Sequence, residues 1–233
     1  MHGIVDSMWL KKPYATNEEY TSICKQIEKE LDLPISFEGR YKWVVFLNSR
    51  INPLVPVLNR YYGIFQDGSL KVRGIDLRRH DVPKIVTKCQ NDMLTILSEA
   101  QSSLQFRKLI PKALSVARYY VSMVRARQIS AEDFVMEKRL SKIPNEHTNL
   151  VEQVIAARHL VRRGKSVHAG QSINYVTASN GGRISENRAL PIELLHETVS
   201  QDSEKYVELL LSSAMNLLLP FGYDLNVLRK ALS

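Results

Sequence analysis

Apolar residues recur three and four positions apart in several stretches of this chain, the spacing that places them on one face of an α-helix. The first such helix begins after Thr16 and ends before Pro34. The side chains of Thr16 and Glu19 can form the reciprocal hydrogen bonds of a capping box at its start. Further helices are predicted over residues 85–100, 111–127, 152–163 and 206–218. The helix over 111–127 starts at Pro111 because proline is tolerated near a helix start and not deep inside one.

Stretches rich in β-branched and aromatic residues predict strands, most of them in the first third of the chain. These strands are expected at residues 35–38, 42–47, 59–65, 70–77 and 173–177. Asp67 and Gly68 separate two of them and favour a hairpin turn. The sequence changes character near residues 80–84. We therefore expect an α+β protein, with a small antiparallel sheet in residues 1–81 followed by a mostly helical domain over 84–233.

The composition is that of a globular protein with a basic charge balance. Hydrophobic residues make up 44% of the 233 positions, and lysine and arginine exceed aspartate and glutamate by eight. A surplus of this size favours a polyanionic partner, although a basic protein without such a partner has the same composition.

Several classes of protein are disfavoured by the sequence. Cys24 and Cys89 lie far apart and no Cys/His cluster accompanies them, which argues against structural zinc. No stretch reaches the roughly 18 continuous apolar residues that a membrane span requires, and the start lacks the pattern of a secretory signal. We expect a soluble cytoplasmic protein with reduced thiols.

One carboxylate near the start, Asp6, follows Gly3 in a predicted turn between apolar residues. A bare buried charge costs on the order of several kcal/mol, so such a carboxylate needs a metal ion, a cation or a proton nearby. One interpretation makes Asp6 a metal ligand for phosphoryl transfer. The other makes it an ordinary turn residue that caps local amides.

Short motifs occur in a fixed order along most of the chain. They read NRYYG at 59–63, RGIDLRRHD at 73–81, LSKIP at 140–144, AARHLVRRG at 156–164, GQSINYV at 170–176 and PFGYD at 220–224. In this order they resemble the C-terminal part of archaeal-type family-B DNA polymerases. The resemblance implies that residues 1–81 are the end of the palm domain and residues 84–233 the thumb domain.

The resemblance also implies a role for Asp6. In the family, a Tyr-Gly-Asp-Thr-Asp-Ser motif holds the catalytic metal ions, and Asp6 matches its second aspartate as catalytic residue and Mg²⁺ ligand. Ile4 stands where the first aspartate is expected, and Asn59 stands where the lysine of a Lys-x-Tyr motif is expected. One carboxylate cannot hold two Mg²⁺ ions. Polymerisation by this chain alone is therefore not expected, and the assembled enzyme needs a larger polymerase subunit.

The residues expected to contact double-stranded primer–template DNA combine basic clusters with their neighbours. They are Arg60, Tyr61, Lys71, Arg73, Gly74, Arg78, Arg79, Lys138, Ser141, Lys142, Arg158 and Arg162. Five of the cations are expected on the hairpin around Asp67, although strand alternation does not guarantee one phosphate-facing stripe. The alternative is a set of solvated basic faces, with Tyr61 in the core.

Three hypotheses follow. The chain is the small subunit of a split family-B polymerase, or an inactivated polymerase lineage that binds DNA as a scaffold in replication or repair, or an unrelated basic interaction protein. Ile4 and Asn59 favour the second hypothesis, whereas Asp6 and the intact downstream motifs support the first.

Overall fold

The computed structural model describes residues 2–4, 7–49, 51–52, 54–179, 188–195 and 201–232. Its α-helices are α1 (Asn17–Leu31), α2 (Lys84–Ser98), α3 (Ser103–Arg125), α4 (Glu152–Arg162), α5 (Ser203–Leu218) and α6 (Leu225–Leu232). Its strands are β1 (His2–Ile4), β2 (Ser7–Trp9), β3 (Tyr41–Asn48), β4 (Pro56–Phe65), β5 (Leu70–Arg73), β6 (Met136–Arg139), β7 (Ser172–Thr177) and β8 (Ala189–Pro191). The predicted α+β class is confirmed.

The chain divides into two compact units. The first comprises residues 1–74 and 97–109, and the second comprises residues 75–96 and 110–233. No helix among the described residues is long and apolar enough to span a lipid bilayer.

The first unit is built on an antiparallel sheet in the order β3-β4-β5. The predicted turn is present, and the Asp67 carboxylate accepts hydrogen bonds from the Ser69 amide and hydroxyl at 2.8 and 2.7 Å. β5 ends at Arg73 rather than at the predicted residue 77, because Gly74 has a φ of +67°. A Cβ atom at Gly74 would also lie 2.6 Å from Arg60 Cγ, so this bend requires glycine.

Aromatic side chains cover both faces of this sheet. On one face, the Trp43 ring lies 4.8 Å from the Phe106 ring, and its indole N–H donates to the Ala100 carbonyl at 2.9 Å. On the other face, Trp9 of β2 packs edge-on against Tyr61 and Phe46 at 4.8 and 4.9 Å. The sheet is therefore held from both sides by ring contacts.

The start of α1 confirms the predicted capping box, with Thr16 and Glu19 bonded reciprocally at 2.8 and 3.3 Å. The predicted strand at 35–38 is wrong, because that segment has no strand structure. Its aromatic residue, Phe37, stacks on Tyr20 of α1 at 5.5 Å. The residue that suggested a strand serves instead as packing for a helix.

The predicted helix start at Pro111 is also wrong. α3 begins at Ser103, so Pro111 lies inside the helix, where it removes a backbone hydrogen bond. Buried residues continue at helical spacing on both sides of it, among them Phe106, Ile110 and Leu114. Burial along this face keeps the helix continuous through the proline.

The second unit contains a sheet in the order β6-β7-β8, of which the sequence predicted only the central strand, β7. Helix α4 packs on this sheet through Val154, Ala157 and Leu160, which are at most 3% exposed. The second unit is nonetheless mostly helical, as expected, because strands β6, β7 and β8 are short. β6 has four residues and β8 three, which is too few for a recognisable period.

Candidate nucleic-acid interface

Asp6, the predicted catalytic residue and metal ligand, lies outside the described residues. Strands β1 and β2 on either side of it pair antiparallel, with Ile4 opposite Ser7. The described part of the chain has no group of three or more His, Cys, Asp or Glu side chains that could hold a metal ion. These residues therefore do not by themselves fit a two-metal centre.

Two of the predicted cations share one face of the β3-β4-β5 sheet. Gly63 pairs with Lys71, and Tyr61 pairs with Arg73, so Lys71 and Arg73 lie on the face that also carries Tyr61. Lys71 forms an ion pair with Glu38. The Arg73 side chain is exposed. The cations of β5 therefore form a short stripe on one face, which the alternation argument had left open.

Three other predicted residues of the first unit build the sheet. The Arg60 guanidinium donates from Nε to the Gly74 carbonyl at 3.1 Å and from Nη1 to the Asn48 carbonyl, which connects the ends of β3 and β5. Tyr61 is 5% exposed and belongs to the aromatic cluster around Trp9. Arg60, Tyr61 and Gly74 thus have structural contacts within the protein.

In the second unit, a single carboxylate brings together two cations that are far apart in sequence. Asp81 accepts two hydrogen bonds from the Arg79 guanidinium, at 2.8 and 2.7 Å, and one from Lys138 Nζ at 3.3 Å. We call Arg79, Asp81 and Lys138 the Asp81 cluster. Its three side chains are 37–39% exposed, so the cations keep N–H groups that face solvent.

The hydrogen bonds from Arg79 lower the pKa of Asp81 to about 2, against the opposing effect of burial, and Lys138 adds to the lowering. Both cations favour the ionised carboxylate. Asp81 therefore stays charged over the whole physiological range.

A buried network of polar side chains contacts this cluster through Arg79. Asp76, 5% exposed, accepts from Arg79 Nη1 at 3.3 Å and from Asn216 Nδ2 at 3.0 Å. Gln90, fully buried on α2, accepts from the Leu77 amide at 2.7 Å and donates to the Ser213 hydroxyl of α5 at 2.9 Å. The turn that carries Arg78 and Arg79 is thereby tied to two helices.

The sequence prediction placed Arg78 and Arg79 on the hairpin around Asp67. The structure corrects this, because β5 ends at Arg73 and the short 3₁₀ turn Asp76–Arg78 belongs to the second unit. Arg78 is exposed, and its side chain has no ionic or hydrogen-bonded partner among the residues that the structure describes. The residues that hold this turn were not among the predicted site residues; they are Asp76, Asp81, Gln90, Ser213 and Asn216.

Arg158 has a different environment from Arg162. Its guanidinium donates to the carbonyls of Pro144 and His147 at 3.3 and 3.1 Å, and the His147 ring bonds to the Lys142 carbonyl at 3.1 Å. Arg158 thus holds the loop over residues 140–147, on which Ser141 and Lys142 are exposed. Arg162, one helical turn later, is exposed, so the two arginines differ in burial despite their four-residue spacing.

Comparisons with known proteins agree with this fold. The sequence profile of DNA polymerase family B matches residues 3–221. A DNA polymerase of Archaeoglobus fulgidus is 25% identical over 84% of this chain, and DNA polymerase 1 of Saccharolobus solfataricus is 24% identical over 95% of it. The solved structure of the family B DNA polymerase from Pyrobaculum calidifontis aligns with a TM-score of 0.63 and 22% identity, over 87% of this chain and 24% of that one.

The chain therefore belongs to DNA polymerase family B, and the resemblance stated from its motifs is confirmed. Enzymes of this family act in DNA replication and use divalent metal ions. The chain spans about a quarter of the length of its relatives, 23% of the Archaeoglobus protein and 24% of the Saccharolobus one.

The depressed pKa of Asp81 predicts a pH dependence of folding. The unfolded carboxyl, with a pKa near 3.8, binds a proton that the folded one, with a pKa of about 2, does not. The resulting stabilisation is complete above about pH 5 and is lost as the pH falls from there through the folded pKa. We expect Asp81→Asn to lower the free energy of unfolding at pH 6 and to approach wild type near pH 2, measured by urea denaturation across this range.

Asp133→Asn is the matched control, because Asp133 also pairs with a lysine, Lys88, in the second unit. Parallel pH profiles for wild type and Asp81→Asn would contradict the assigned pairing.

Proposed function

We propose that this chain is the DNA-holding, C-terminal palm and thumb part of a family-B DNA polymerase. It grips the primer–template duplex through its phosphate backbone and takes part in nucleotidyl transfer together with a partner polypeptide that carries the rest of the palm and the fingers. The observation that carries the proposal is the Asp81 cluster, in which Arg79 and Lys138 are held side by side at the surface.

The geometry of this cluster suits phosphate. Arg79 is fixed by two carboxylates, those of Asp81 and the buried Asp76. Little side-chain conformational freedom is therefore lost when Arg79 binds a phosphate oxygen of the DNA backbone. Arg78 and Lys142 add exposed positive charge in the same unit. Contacts of this kind give affinity without reading sequence, as holding a newly made duplex requires.

The partner in this proposal follows from the number of ligands. Two Mg²⁺ ions need several oxygen ligands, and Asp6 is the one carboxylate that the family motif assigns in this sequence. The proposal assigns the remaining carboxylates and the groups that hold the nucleotide to the partner polypeptide. Mg²⁺ is a cofactor of the assembled enzyme in this scheme.

A second candidate function is favoured by Ile4, which stands in place of the first aspartate of the motif. An isoleucine cannot bind a metal ion, so the chain in this view is a catalytically inactive polymerase relative that binds duplex DNA as a scaffold. Both candidates share the duplex-binding surface and differ in catalysis.

Duplex binding is tested by titration over a salt series. Arg78→Gln and Lys142→Gln each remove one exposed cation. Each should reduce the magnitude of the negative slope of log K against log salt by about 0.9. Lys25→Gln, on the exposed side of α1, is the matched control and should leave the slope unchanged. Equal slopes for all variants would contradict the phosphate-contact proposal.

Catalysis separates the two candidates. The chain is combined with a polypeptide that carries the rest of the palm and the fingers, and primer extension is measured with Mg²⁺. The split-enzyme proposal expects extension that Asp6→Ala abolishes, whereas Lys25→Gln retains it. Extension unaffected by Asp6→Ala removes Asp6 from the mechanism, and duplex binding without extension favours the scaffold.

A further inference from the structure

One helix that carries none of the polymerase-like motifs combines several basic residues with no acidic ones. Residues 103–127, which comprise α3 and its C-terminal end, contain six lysines and arginines and no aspartate or glutamate, against a surplus of eight for the whole chain. Four of the six cations belong to the second unit and are exposed, namely Lys112, Arg118, Arg125 and Arg127. A helix without acidic residues has no carboxylate of its own to repel a polyanion.

An exposed aromatic ring lies among these cations. Tyr119 is 59% exposed, and its ring meets that of Tyr120 edge-on at 5.8 Å and 80°. The Tyr120 hydroxyl in turn donates to Asp92 on α2 at 2.7 Å. Tyr120 is thus anchored, and a perpendicular pair of rings leaves a face of the exposed ring open to a further aromatic group.

Arg118 is also fixed in place beside Tyr119. Its guanidinium donates from Nε and Nη2 to the carbonyl of Ala231 in α6, at 3.2 and 2.5 Å. Lys112 lies two helical turns before Tyr119, on the same side of α3. Arg118 and Arg125, also two turns apart, lie on the adjoining side of the helix, roughly a third of a turn around its axis from Tyr119. From Lys112 to Arg125 the helix extends about 20 Å, so a nucleic-acid strand that passes obliquely across both sides can contact them.

We propose that this surface, the α3 patch of Lys112, Arg118, Tyr119, Arg125 and Arg127, binds single-stranded nucleic acid. The cations contact successive phosphates and Tyr119 stacks on a base. A single strand fits better than a duplex, because the bases of a duplex are already stacked on one another and cannot offer a face to Tyr119. The patch is independent of the Asp81 cluster and adds a second nucleic-acid site to the duplex-binding surface proposed above.

The test of stacking uses the full chain with a short oligothymidylate and, separately, a blunt duplex. Tyr119→Ala should weaken single-strand binding about tenfold and leave duplex binding within about twofold, whereas Tyr119→Phe should retain the wild-type affinity. Tyr14→Ala is the matched control, because Tyr14 is fully exposed outside the patch. Circular dichroism melting confirms that each variant is folded.

The test of charge uses a double variant. Lys112→Gln with Arg125→Gln should lower the salt slope for the oligothymidylate by about 1.4, whereas Lys25→Gln with Lys29→Gln on α1 should not change it. Arg118 is left intact because it also holds α6.

Two results would overturn the inference. One is a loss of affinity in Tyr119→Ala that is equal for single strand and duplex, and the other is a salt slope unchanged by the double variant. Failure of the proposed duplex-binding function can be distinguished from failure of this inference. In the first case duplex binding would be absent, while oligothymidylate binding that depends on Tyr119 would persist.

Discussion

The rest of the candidate interface depends on the hydrogen bonds that the Asp81 carboxylate accepts from Arg79 and Lys138. Arg79 and Lys138 come from separate segments, and both contact the Asp81 carboxylate. Without this carboxylate the two cations would repel each other, because like charges would lie close together. A shared carboxylate turns this repulsion into a fixed pair of cations. The pair is oriented because Asp76, Gln90 and the α5 residues Ser213 and Asn216 hold the turn that bears Arg79. Buried polar groups that are fully hydrogen-bonded in this way specify one arrangement of a core.

The two units use basic residues in two ways. Some support the fold, as when Arg60 connects two strand ends and Arg158 holds the loop over 140–147 through backbone carbonyls. Others remain at the surface, as Arg73, Arg78 and Lys142 do. Arginine suits the first role because its planar guanidinium can donate to two acceptors at once. A positive charge count by itself therefore overstates the number of phosphate contacts.

Features set by local chemistry were predictable from the sequence. The capping box of Thr16 and Glu19 and the turn at Asp67 and Gly68 depend on neighbouring residues, and both are present. Features set by distant partners were not. Phe37 looked like a strand residue because nothing local reveals its stacking on Tyr20. The Asp81 cluster was missed because Lys138 reaches it from β6, a strand too short to recognise. The order of the motifs revealed the family resemblance, but this resemblance did not determine the contacts of each side chain.

The central claim is that Asp81 positions two cations for phosphate, and the most direct measurement is the duplex affinity of Asp81→Asn at neutral pH. The substitution removes a negative charge, so electrostatic attraction alone would make binding tighter. Positioning by Asp81 predicts the opposite, a weaker affinity with a reduced salt slope in a protein that remains folded, whereas Asp133→Asn does not weaken binding. Tighter binding by Asp81→Asn, equal to that of Asp133→Asn, would contradict the account.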